Sequence, residues 1–102
     1  MRLPTALLML CAATAAHADP FAGGNAQAGK QLFDQYHCNR CHMAMEGGDG
    51  SAIFTRIDHK VTNPQQLVAQ LHICGGNVGL DVTPQQEQDL GAYLNRNYYH
   101  FK

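Results

Sequence analysis

The chain has 102 residues, of which 45% are hydrophobic and 15% charged, and its formal net charge is -1. That length fits one domain. Near-neutral charge, with no basic run and no tryptophan, leaves no footing for a nucleic-acid partner.

The first stretch reads as an export signal. Arg2 gives a positive start, Leu7 to Ala13 is a short apolar run, and Ala16-His17-Ala18 has the small-x-small form of a cleavage site. The run is far shorter than the roughly 20 apolar residues that span a bilayer. A signal peptide over 1–18, a domain over 19–102 and a periplasmic location are therefore expected, with no stable membrane insertion after cleavage. A lipid anchor through Cys11 is disfavoured, because bulky Leu10 precedes it where such sites want a small residue. Cleavage after Ala18 removes Arg2 and no acidic residue, so the mature charge becomes -2. It also leaves three cysteines: Cys38, Cys41 and Cys74.

Asp19 to Gly24 is expected to be a disordered lead-in. Asn25 is a good helix cap, and Ala26 to Tyr36 reads as a helix. Gly29, Leu32, Phe33 and Tyr36 fall at i, i+3, i+4 and i+7, one helical face. A glycine in mid-helix costs up to about 1 kcal/mol against alanine, which a close helix crossing would explain. The helix is expected to run straight into Cys38-Asn39-Arg40-Cys41-His42.

C-x-x-C-H is the attachment signature of c-type haem. Two thiols three positions apart can bond to the two vinyl groups of one porphyrin, and the adjacent histidine can bind its iron. A zinc site would want about four ligands, commonly with a second Cys or His pair at short spacing, and none follows. A thioredoxin-like pair would want a βαβ context, whereas the flanks read helical. One covalent haem c is the expected cofactor, held by Cys38 and Cys41 with His42 as proximal iron ligand.

Met43 to Ser51, with three glycines, reads as a loop. Ala52 to Lys60 is short and mixed; Arg56, His59 and Lys60 there are either partners for haem carboxylates or solvated charges. Asn63-Pro64 signals a helix start. A helix over Gln65 to Cys74 would carry Leu67, Leu71 and Cys74 on one stripe, with Val68 and His72 beside it, and Gly75-Gly76 would stop it. Thr83-Pro84-Gln85-Gln86 repeats the start signal with a capping box. The last helix is expected from Gln85 to about Asn97, with Leu90, Tyr93, Leu94 and Tyr98 inward. The aromatic run Tyr98 to Phe101 is expected to fold back onto the core. A mature chain of about 84 residues has a marginal core of its own; a haem plate would enlarge it.

"GKQLFDQYHCNRCH" resembles the opening of class I cytochromes c. That resemblance implies an all-α fold, about three main helices around one covalent haem. It also implies that Gly29 and Phe33 meet the closing-helix segment Leu90 to Leu94. The family's usual distal ligand, a methionine before the last helix, has no counterpart: the methionines are Met1, Met9, Met43 and Met45. His59, His72, Cys74, Asn77 and His100 remain as distal candidates. "QLVAQLHICGGNVGLDVTPQQEQDLGAYL" resembles the cytochrome c'' and high-spin haem protein group, in which a His or Asn ligand directly precedes a cysteine. Here that slot is Ile73, and the group's partner cysteine is replaced by Val82. His72 is the favoured distal ligand and Cys74 the alternative.

The resemblance implies a monomeric, non-enzymatic carrier of single electrons between redox proteins that dock transiently. Its alternative is a haem protein that binds or senses a small ligand through a labile distal site. Copper handling through His42, Met43, Met45 and the Cys38/Cys41 pair is a third, weaker reading.

Overall fold

The computed structural model describes residues 19–40, 43, 47–48, 50–55 and 60–102. The expected signal peptide, Cys41, His42, Met45, Arg56 and His59 lie outside the described residues. Those that are described form an all-α structure with no strand. Its elements are α1 (Ala26–Gln35), the one-turn α2 (Ala52–Thr55), α3 (Pro64–Asn77) and α4 (Pro84–Leu94), which runs on into a π-helical turn, Asn95–Tyr99. No helix among the described residues is long and apolar enough to cross a membrane.

The helix starts follow the capping signals. Asn25, Asn63 and Thr83 each accept from a backbone N–H of the first turn, and Thr83 and Gln86 close a full capping box. Prolines at the first position of α3 and α4 lose no helical hydrogen bond there.

The helix ends differ from expectation. Gly75 and Gly76 do not stop α3, which continues to Asn77. The left-handed residue is Gly79, at φ 79°. The Leu80 N–H then donates to the Gly75 carbonyl at 2.8 Å, and the Gly79 N–H to Gly76 at 3.4 Å. This Schellman closure satisfies carbonyls that the helix leaves open. Gly75 is needed for a different reason. A Cβ there would lie 2.8 Å from the Leu80 carbonyl oxygen and 2.7 Å from Val82. α1 closes the same way, but with a histidine. His37 takes φ 51°, and Cys38 N–H donates to Phe33 at 3.0 Å. The chain therefore turns sharply before Cys38 instead of running straight into it.

α1 and α4 cross closely. A Cβ on Gly29 would lie 2.0 Å from the Asp89 carbonyl oxygen and 2.9 Å from the Tyr93 Cβ. One turn on, the Phe33 and Tyr93 rings pack with centroids 5.4 Å apart. Buried Asp89 fastens the joint: its Oδ1 accepts from the Asn25 N–H and the Gln85 Nε2, both at 2.8 Å. Those two donors offset the cost of burying the carboxylate.

The lead-in is ordered, against expectation. Phe21 is 1% exposed, and its ring packs on Gly91, where any Cβ would fall 2.2 Å from it. Burying one phenylalanine contributes roughly 1.5–3 kcal/mol toward holding the segment. The aromatic tail folds back as expected. Tyr98 and Tyr99 pack on Phe54 at 4.9 and 6.0 Å, and Phe101 stacks on Tyr99 at 5.2 Å. Asn95 clasps the tail by donating to the Phe101 carbonyl and accepting from its N–H.

Candidate functional site

Between these elements lies a cavity of about 200 Å³. Its lining is mostly apolar, as in cofactor and small-molecule sites. α3 builds one wall with Leu67, Gln70, Leu71, Cys74 and Gly75. Their spacing, i, i+3, i+4, i+7 and i+8, is a single helical face. Cys38, at the end of α1, also lines the cavity, and so do Phe54 of α2 and Tyr99 of the π-turn.

Polar groups on this lining are few. Gln70 Nε2 donates to Cys74 Sγ at 3.2 Å, one turn along α3. Lys60 adds a cation. Burial pushes the Cys38 thiol above its usual pKa, with Cys74 and Asp34 adding to the shift and a backbone hydrogen bond opposing it. Burial also pushes the Tyr99 phenol up to about 12, with a smaller contribution from Cys74. Cys38 and Cys74 are both free thiols and both half-buried.

The sequence-derived candidates separate clearly. Cys38 and Cys74 share the cavity. His72 does not line it: the side chain is 46% exposed and its Nε2 sits 2.8 Å from Glu87 Oε2 on α4. The helical face explains this, because His72 falls one residue past Leu71 and off the stripe that α3 turns inward. His100 is exposed, with a left-handed φ of 58°, and Asn77 is exposed at the end of α3. Neither lines the cavity. Cys41 and His42, the rest of the attachment motif, and the candidate His59 are outside the described residues.

Gln70 and Tyr99 belong to the site although sequence reasoning assigns them no part in it. Gln70 has a findable signal, since it precedes Cys74 by four residues and must share its face. Tyr99 carries no such signal. The π-turn that aims it widens the helix by one residue, and a period of 3.6 does not foresee that.

No protein family, curated protein or solved structure matches this chain.

Proposed function

We propose that the chain is a periplasmic c-type cytochrome of the class I kind, which carries single electrons between redox proteins through one covalent haem. The observation that carries this reading is the apolar cavity into which Cys38, the first cysteine of C-x-x-C-H, faces. The residues present suit a porphyrin: broad aliphatic and aromatic walls, a thiol at the end of α1, and few polar groups.

In this reading Cys38 and Cys41 would hold the haem as thioethers, and His42 would bind its iron. The bound haem supplies a one-electron ferric/ferrous couple. The chain's own residues exclude water with Leu67, Leu71, Phe54 and Leu90, which line the cavity. Burial holds the Cys38 thiol above its usual pKa, which disfavours its thiolate form. The absence of a methionine beyond Met45 removes the ligand that raises cytochrome potentials. The potential should therefore lie below that of His/Met cytochromes.

Expression in a host equipped for c-type maturation, followed by intact mass spectrometry, tests the reading. The expected product lacks residues 1–18 and carries one haem. A product without haem would refute the proposal. A ferrous form that stays six-coordinate under CO supports electron transfer, while a five-coordinate form that binds CO would favour the small-ligand alternative.

A further inference from the structure

We infer that Cys74 supplies the second axial iron ligand, as a thiolate, and that Gln70 positions and tunes its sulfur. This rests on the haem reading above and goes beyond it by naming the ligand and what controls it.

The inference starts from placement. α3 turns five residues into the cavity, and among them only Cys74 carries a strong iron donor. The competing histidine of the same helix, His72, is turned outward onto Glu87 at 2.8 Å. His100 and Asn77 do not line the cavity. No methionine follows Met45. The sulfur is also held in place. Gly75, the next residue, is pressed against the backbone of Leu80 and the side chain of Val82, which fixes this part of α3. Gln70 Nε2 donates to the sulfur at 3.2 Å, which restricts its rotamer from the other side.

The chemistry balances without any oxidant. Binding iron deprotonates a coordinating thiol outright. The S–H bond breaks, its proton passes to solvent, and the sulfur lone pair forms the iron bond, with no change of oxidation state. The negative charge so created shares the cavity with the Lys60 cation. The Gln70 N–H draws electron density from the sulfur and weakens it as a donor, a hydrogen-bonding lever on haem potential. Gln70 is thus a positioning residue: it touches the ligand, not the iron.

The test uses the haem-loaded protein, with attachment checked first by mass spectrometry. Ferric EPR and magnetic circular dichroism of the wild type should show a low-spin haem with a thiolate-to-iron charge-transfer band. Cys74→Ser should lose that band and become high-spin, while His72→Ala keeps it. Cys74→Met provides a gain of signal: the thiolate band is replaced by one from a thioether ligand. Gln70→Ala should retain the thiolate band and lower the reduction potential. Unchanged ferric spectra in Cys74→Ser, or loss of the low-spin form in His72→Ala, would overturn the ligand assignment and leave the haem reading standing. Absence of haem in the wild type would bring down the reading beneath it.

Discussion

Replacing Gly29 with alanine perturbs the α1–α4 crossing at its tightest point. The added Cβ would lie 2.0 Å from the Asp89 carbonyl oxygen, whereas ordinary contact starts at 3.4 Å. The two helices would have to separate by roughly 1.4 Å locally, and the obstacle is backbone, which cannot swing aside. A gap of about 0.5–1 Å already forfeits a quarter to a half of a dispersion contact, so the Phe33–Tyr93 packing and the Asn25–Asp89 hydrogen bond weaken together. Overpacking of this kind costs about 1–3 kcal/mol, and an unyielding neighbour puts it at the upper end. Alanine returns up to about 1 kcal/mol of helix propensity. The net loss is about 2 kcal/mol, a fall in Tm of roughly 8–16 °C for a domain this small. Gly76 is the matched control. It is helical, at ordinary φ, and a Cβ there meets nothing within 4 Å. Gly76→Ala should therefore stabilise by about 0.5–1 kcal/mol. Thermal melts followed by far-UV circular dichroism read both. A Gly29→Ala protein as stable as wild type would refute the close crossing.

Three further outcomes follow from the same structure. Phe21→Ala should cost about 3–5 kcal/mol, the range for truncating a buried phenylalanine, and should free the lead-in to proteolysis; an unchanged melt would contradict its burial. His37→Val should cost about 1–2 kcal/mol because a β-branched residue resists its left-handed φ, while His37→Gly should be tolerated; equal melts for the two variants would argue against that backbone. Tyr99 should titrate near pH 12, seen as a late step in the phenolate absorbance. Its folded pKa exceeds the ordinary value of 10, so the unfolded chain releases the proton first. This contribution to stability is whole below pH 10, declines as pH rises from 10 to 12, and vanishes in Tyr99→Phe; stability that stays flat across that window would refute it.

Much of the fold is legible in the sequence because local signals agree with one another. Asn25, Asn63-Pro64 and Thr83-Pro84 each cap a helix where the residue chemistry demands it. The Gly29-Phe33 stripe finds its partner in α4. Misreadings arise where tertiary contacts override local preference. Gly75-Gly76 reads as a stop, yet Gly75 is needed for a close approach and Gly79 performs the turn. Phe21 reads as part of a disordered lead-in because the glycine it packs on, Gly91, lies far along the chain. Within the site, sequence reasoning narrows α3 to His72 and Cys74. Separating them requires Glu87, on another helix, to be seen holding the imidazole.

The glycine contacts bear on how the site withstands mutation. Gly29 rests on the peptide group of Asp89, and Gly75 on that of Leu80, in the segment leading into α4. α1, whose end leads to Cys38, and α3, which carries Cys74, are thus each gauged against the same span of main chain. Both close approaches involve a main-chain carbonyl, which every residue type shares. Exchanging aliphatic side chains elsewhere in the interior leaves these two main-chain approaches in place.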